Sequence, residues 1–301
     1  MKLLSIIIVT YHSEKDIYDC LSSVWQFSDI PREDLEVIIV DNSPQSEQMF
    51  TKLKELYGND IILIHNTHNG GYGQGNNVGI HHATAPIVMI MNPDVRLIEP
   101  VFDYVLKQFA NDPKLGLYGF TQRCANGKIG RSTSWVSWLH PYIAEPLRFI
   151  TGRLNCFFPK YMYFTGAAFF LQKKIFLKAG LFDEKIFMYG EEEDIHDRVL
   201  AIPNIKIKYS RKLNYQHLHN ETIDYETESY SWMEKNLLTL CYINSKKGFS
   251  KEKVIEFAIK RNNITLLKEY IKYIITNGKN RDRLHYYKRW KQNLLDKIQK
   301  S

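Results

Sequence analysis

The chain has 301 residues, 44% of them hydrophobic and 13% aromatic, enough for one large α/β domain or a domain with an appendage. No apolar run approaches the roughly 18 residues that span a bilayer, and Met1-Lys-Leu-Leu enters a strand-like run without a signal-peptide layout. Of the net charge of +7, the segment from Lys246 to Ser301 carries +11, sixteen Lys and Arg against five Asp and Glu, which leaves −4 for a mildly acidic body. Cys20, Cys124, Cys156 and Cys241 are scattered, with neither zinc spacing nor a disulfide framework, so a reducing cytoplasm is expected.

Leu3 to Thr10 is short, β-branched and apolar on both faces, as a buried parallel strand requires. Ser13 to Phe27 reads as a helix with Ile17, Leu21 and Val24 on one face and Ser13 as its cap. Strands are expected over Leu35 to Asp41, Ile61 to His65 and Pro86 to Asn92, with helices over Gln45 to Leu56 and, after a glycine-rich loop, Gln74 to Ala83. This alternation predicts a mostly parallel sheet flanked by helices. Beyond it, Leu115 to Thr121 and Tyr161 to Leu171 are expected strands, Lys173 to Ala179 a short helix and Ile205 to Tyr209 a strand near an edge. Cys124 to Lys160, rich in Gly, Ser, Pro and Trp, reads as an irregular insertion. From Tyr225 onward helical periodicity dominates, broken at Gly248 and Asn277-Gly278. The expected division is 1–222, with a nucleotide-binding half to about 97 and an acceptor half from 98, followed by a basic helical region over 223–301.

Ligands of such sheets collect beyond the carboxyl ends of the strands, where Thr10-Tyr11, Asp41-Asn42 and Asn92-Pro93-Asp94 fall. Asn69 to Gly79 holds four glycines in its first seven residues, so backbone N–H groups can approach an anion such as a diphosphate; a purely structural glycine turn would look the same. Asp94 offers an oxygen ligand for Mg2+ or Mn2+ bridging phosphates, and His217 or His219 a second ligand. The small residues Thr165-Gly-Ala-Ala168 either leave room for a ligand or pack a strand tightly. Glu191, Glu192, Glu193 and Asp194 crowd four carboxylates behind Gly190, each raising the pKa of its neighbours. On a helix, Glu191 and Asp194 share a face and Asp194 pairs with Arg198, leaving Glu192 as a base of raised pKa.

Together these segments resemble the family 2 inverting glycosyltransferases of GT-A fold, nearest to the rhamnosyltransferase-like branch. The resemblance rests on Ser5 to Tyr11, Val37 to Asn42, Asn69 to Gly79, Asn92 to Val95, Phe164 to Ala167, Gly180 to Glu184 and Phe187 to Arg198, in the family's order across residues 3 to 220. It implies that Thr10, Tyr11 and Asp41 hold base and ribose, and that Asn69, Gly70, Gly71, Asn76, Asn77 and Asn92 line the nucleotide-sugar. Thr165 and Gly166 would lie near sugar and acceptor, Asp94 and His217 would hold Mg2+ or Mn2+, and the family's acidic signature falls on Glu191 to Asp194. Asn92 replaces the first acid of the metal motif, and Glu192, or else Glu191, replaces the usual base aspartate.

The implied reaction moves a sugar, with dTDP-rhamnose as the first expectation, to a saccharide or lipid-linked acceptor in cell-surface polysaccharide synthesis. A nucleotidyltransferase would carry a Gly- and Lys-rich loop where Thr10-Tyr-His-Ser-Glu14 stands. A non-catalytic sugar- or nucleic-acid-binding protein is the other alternative, but no nucleic-acid module appears and no nucleic-acid partner is expected. The aromatic, basic stretch Arg281 to Lys291 either touches an anionic inner-membrane surface from the cytoplasm or packs as a soluble helix with a solvated basic face.

Overall fold

A computed structural model of the chain describes residues 2–218 and 231–299. They divide into two compact units, 2–134 with 155–218 and 135–154 with 231–299. The expected boundary at 222/223 lies outside the described residues, as does His219.

In chain order the first unit runs β1 (Leu4–Thr10), α1 (Ile17–Gln26), β2 (Leu35–Asp41), α2 (Glu47–Tyr57), β3 (Ile61–His65), α3 (Gly71–His82), β4 (Ile87–Met91), β5 (Val95–Leu97), α4 (Phe102–Asn111) and β6 (Leu115–Cys124). Thr133–Trp135 (β7) precedes α5 (Pro141–Leu154), after which come β8 (Met162–Phe164), β9 (Ala168–Gln172), α6 (Lys173–Lys178), α7 (Glu191–Leu200) and β10 (Lys206–His217). Eight strands form one sheet in the order β3-β2-β1-β4-β9-β6-β10-β5, and β7 and β8 form a separate ribbon. The pairs β1–β2, β2–β3, β1–β4 and β6–β10 are parallel, whereas β9 runs antiparallel to β4 and β6, and β5 to β10.

Both faces of the sheet are covered. Ile6 and Ile8 of β1 meet Ile17, Leu21 and Val24 of α1, Met49 and Leu53 of α2 and Phe102 of α4 in one core. Ile7, pointing the other way, meets Ile80 of α3, Ile175 and Phe176 of α6 and Ile195 and Val199 of α7 in another. The unbroken apolar runs follow from this, since a strand buried on both faces has no polar alternation.

Several expectations need correcting. α1 starts at Ile17, and Ser13 instead lies in the turn before it, its Oγ 3.2 Å from both the N–H and the carbonyl of Tyr11. The glycine-rich stretch is the first half of α3 itself. A Cβ on Gly75 would lie 2.7 Å from Val9 Cγ1, and one on Gly79 would strike Ile7, so the glycines let α3 lie closely on β1. The expected strand over Tyr161 to Leu171 is broken at residues 165–167 into β8 and β9. β10 continues past Tyr209 through a register shift between Ser210 and Asn214 and ends at His217. The insertion read as irregular contains α5, entered at Pro141, which fits the first turn of a helix because its missing N–H is not needed there.

The second unit holds α5 and the helices α8 (Ser231–Ser245), α9 (Lys251–Ile275) and α10 (Arg281–Gln299). Leu237 of α8, Val254 and Ile255 of α9 and Trp290 and Leu294 of α10 form its core. The expected breaks fall where left-handed backbone is needed, at Gly248 (φ +81°) and at Asn277-Gly278 (φ +49° and +86°).

Candidate functional site

The carboxyl ends of β1, β2 and β4 converge as expected of a doubly covered sheet. Asp41, only 1% exposed, accepts from Thr10 Oγ1 (2.8 Å), Ser43 Oγ (2.9 Å) and Ser46 Oγ (2.5 Å). Both its oxygens are thus engaged within the chain, and Ser43 Oγ goes on to accept from the His12 N–H at 2.8 Å. Asp41 and Thr10 therefore shape the loops at this edge, while Tyr11 is the exposed member of the trio.

Beside them stands a network of amides. Asn66 Nδ2 donates to Asn42 Oδ1 and to Gln74 Oε1, both at 2.7 Å. Asn42 Nδ2 reaches Gly71 O (3.3 Å) and Asn69 Oδ1 (3.4 Å), and Asn69 Oδ1 also accepts from Gly71 N (3.1 Å). Gly71 takes φ +88° here, and a Cβ would collide with the Phe187 carbonyl. Gly70, next to it, ends the turn before α3. Asn77 ties α3 to the segment before α7: its amide donates to Phe182 O (3.0 Å) and Glu184 Oε1 (2.9 Å) and accepts from Phe182 N (3.0 Å). Asn76 donates to Tyr72 O (2.9 Å), while its buried Oδ1 has no partner among the described residues.

On the far side of β4, Asn92 N–H donates to Ala167 O at 2.8 Å, which holds the Asn-Pro-Asp turn against the 165–167 break. Val95 pairs with His217 across β5 and β10, and Leu218 N–H donates to Asp94 O (3.1 Å). This pairing brings Asp94 Oδ2 to 3.1 Å from His217 Nε2. Two ligand atoms about 2.1 Å from an ion of Mg2+ size stand about 3.0 Å apart along an octahedral edge, so this donor pair fits a divalent cation. Among the described residues no cluster of three or more His, Cys, Asp or Glu is placed to hold a metal.

The acidic run begins α7. Gly190 precedes it at φ +105° and its carbonyl accepts from Asp194 N (3.0 Å). The helix N-terminus offers partial positive charge to the four acids. Asp194 binds Arg198 through Nη2 (2.6 Å) and Nε (2.9 Å), and Arg198 Nη1 also donates to Ala179 O. Asp194 thus fixes the helix and is not free to act as a base.

Glu191 and Glu192 differ. Glu191 is 2% exposed, and its Oε2 has no hydrogen-bond partner among the described residues. Burial first, then the charge of Glu192, push its pKa well above the usual carboxylate range. Glu192 is partly exposed, and burial raises its pKa too, but its own N–H and those of Gly166 and Gly190 oppose the rise. Both carboxyls are therefore raised, and the N–H groups around Glu192 favour its ionised form. A Cβ on Gly166 would collide with Glu192 Oε1, so this glycine is required for the close approach.

Two residues not singled out in the sequence complete the arrangement. Tyr72 donates to Gly166 O at 2.5 Å, and burial followed by Glu192 and Glu191 raise its pKa far above that of a free phenol. Tyr215 is buried, donates to Gln122 Oε1 (3.3 Å) and lies near enough to Thr165 and Asp94 for both to act on its hydroxyl. Tyr72 stands inside the glycine-rich stretch, and two-residue spacing puts Tyr215 on the same side of β10 as His217. Thr165 itself donates to Arg131 O (2.7 Å). The 165–167 break thus joins two groups far apart in sequence. Asn92 meets it at Ala167, Tyr215, within reach of the Asp94 charge, near Thr165, and Glu192 and Tyr72 at Gly166.

The glycosyl transferase family 2 model matches residues 5–179. A low-salt glycan biosynthesis hexosyltransferase of Haloferax volcanii is 27% identical over 239 residues, covering 73% of this chain and 68% of that protein. A poly-beta-1,6-N-acetyl-D-glucosamine synthase of Staphylococcus aureus is 28% identical over 125 residues, 41% of this chain; the matched stretch spans only 29% of that relative. Among solved structures, a mannosyltransferase of Pyrobaculum calidifontis in complex with GDP-Man and Mn2+ has a TM-score of 0.58 at 14% identity, covering 97% of this chain and 84% of its own. S. aureus TarS has a TM-score of 0.54 at 16% identity, covering 87% and 43%.

Proposed function

The chain belongs to glycosyl transferase family 2 and has the GT-A fold, and from that premise we propose that it transfers a hexosyl or deoxyhexosyl group with inversion, using Glu192 as the base. The observation that supports this reading is the 165–167 break, where Asn92 meets Ala167 and Glu192 meets Gly166.

The donor is a nucleotide-diphospho-sugar, with Tyr11 and the amides around Asn42 and Asn69 on the nucleotide side. Asp94 and His217 would hold Mg2+ or Mn2+, whose charge would offset that of the diphosphate. A hydroxyl of a saccharide or lipid-linked acceptor gives its proton to Glu192, and its oxygen bonds to the anomeric carbon. The bond from that carbon to the diphosphate oxygen breaks on the opposite face, and the nucleoside diphosphate leaves with the electron pair. General-base help of this kind contributes about 10²–10⁴ in rate. The Gly166 and Gly190 N–H groups hold the Glu192 carboxylate in place and favour its ionised form. The product belongs to cell-surface polysaccharide synthesis, made on the cytoplasmic side.

A screen of dTDP-rhamnose, UDP-hexoses and GDP-mannose by thermal shift, with and without Mn2+, tests the donor class, because a ligand that binds only the folded chain raises its melting point. One nucleotide-sugar is expected to stabilise the chain and to release its nucleoside diphosphate when acceptor is added. Stabilisation by none of them, with no nucleotide release, would overturn the reading.

A further inference from the structure

In the basic C-terminal stretch Tyr287 is half-buried and the other two large aromatics are covered. Tyr286 and Trp290 of α10 are buried, and Trp290 is part of the helical core. The apolar exposure lies elsewhere in the second unit. On α9, Leu267, Tyr270, Ile271, Ile274 and Ile275 are all exposed, and their spacing of i, i+3, i+4, i+7 and i+8 puts them on one face. Ile274 and Ile275 are 62% and 75% exposed. An open groove of about 380 Å³ continues the stripe, lined by Leu266, Leu267, Tyr270, Leu284, Lys288 and Lys291. α5, which packs on α9 and whose Glu145 lies 3.5 Å from Lys268, likewise exposes Phe149, Ile150 and Leu154.

The charges around the stripe choose its partner. Between Lys260 and Lys291 there are ten Lys and Arg against Glu269 and Asp282; Lys260 pairs with Glu256, and Arg261 and Lys268 approach Glu145, while Lys288 and Lys291 line the groove itself. Glu269 is buried and paired with Arg283 at 3.0 Å, so Asp282 alone among these acids faces solvent. A second copy laid symmetrically on this face would set lysines against lysines, whereas an anionic bilayer offers acyl chains to the isoleucines and negative headgroups to the cations. We propose that the exposed face of α9, with its flanking lysines, docks the second unit on the surface of an anionic membrane, its isoleucines entering the headgroup–acyl boundary. No helix among the described residues is long and apolar enough to cross a membrane, so the contact is one of lying on the surface.

The test is flotation of the full chain with vesicles of mixed phosphatidylglycerol and phosphatidylcholine, alongside phosphatidylcholine alone. Binding to the mixed vesicles is expected, weaker with phosphatidylcholine alone and weakened by salt. The double variant I274E/I275E, at exposed positions, should lower binding at least tenfold with an unchanged thermal melt, and Lys272→Glu should lower it while leaving the apolar stripe intact. No flotation with mixed vesicles, or flotation indifferent to both variants, would overturn the proposal. So would a dimer in sedimentation that I274E/I275E converts to monomer without any vesicle binding. Nucleotide release from the soluble donor, measured without vesicles, should be the same in both variants, which keeps this test separate from the catalytic reading.

Discussion

Glu191 and Glu192 are adjacent in the chain, yet the helix start turns them into different environments. Glu191 is buried with one oxygen unpartnered among the described residues, and Glu192 meets the N–H groups of Gly166 and Gly190. A carboxyl whose folded pKa is raised binds more protons folded than unfolded, so its stability term is whole below the unfolded value of about 4.3 and is lost as pH climbs through the folded value. Glu191→Gln should therefore gain on the parent chain as pH rises from 5 to 8, read as the difference in melting temperature at each pH. A difference that stays flat across that range would show that Glu191 is not held protonated. Asp94→Ala should weaken nucleotide-sugar binding mainly when Mn2+ is present. Equal weakening with and without the ion, measured by calorimetry, would remove Asp94 from the cation site.

The packing of α3 on β1 is argued at the level of the element. Glycine weakens a helix interior relative to alanine by about 1 kcal/mol, yet α3 places glycines where a Cβ would meet Val9 or Ile7. Contact with the sheet outweighs local propensity. Gly75→Ala should cost about 1–3 kcal/mol through overpacking. Gly152 of α5 is the contrasting case: nothing lies within 4 Å of its added Cβ. Gly152→Ala should stabilise the chain by about 0.5–1 kcal/mol. Urea unfolding of both variants checks the pair, and a stable Gly75→Ala chain would show that the close approach is not needed.

For the whole molecule, legibility followed burial. β1, β2 and β4 were readable because strands covered on both faces are unbroken apolar runs, and α6 because apolar spacing survived around Ile175 and Phe176. α3 was legible from Gln74 on but starts at Gly71, because glycine serves both loops and tight helix packing, and only the neighbouring strand decides which. α5 was hidden by Pro141, Pro146 and Gly152, residues that usually end helices. The Asp94–His217 approach was expected from motif order, but its means, antiparallel pairing of β5 with β10, depends on a register shift that no local pattern announces. Tyr72 and Tyr215 were overlooked because a tyrosine's role depends on what its hydroxyl reaches across the fold. The exposed stripe of α9 could not be told from core by periodicity alone, since either reading gives the same spacing.

The central claim is that Glu192, held at the 165–167 break, removes the acceptor proton. Steady-state transfer by Glu192→Gln, paired with calorimetric donor binding, tests it most directly. The account predicts turnover reduced by about a hundredfold or more with donor affinity nearly that of the parent chain; unchanged turnover in that variant would contradict it.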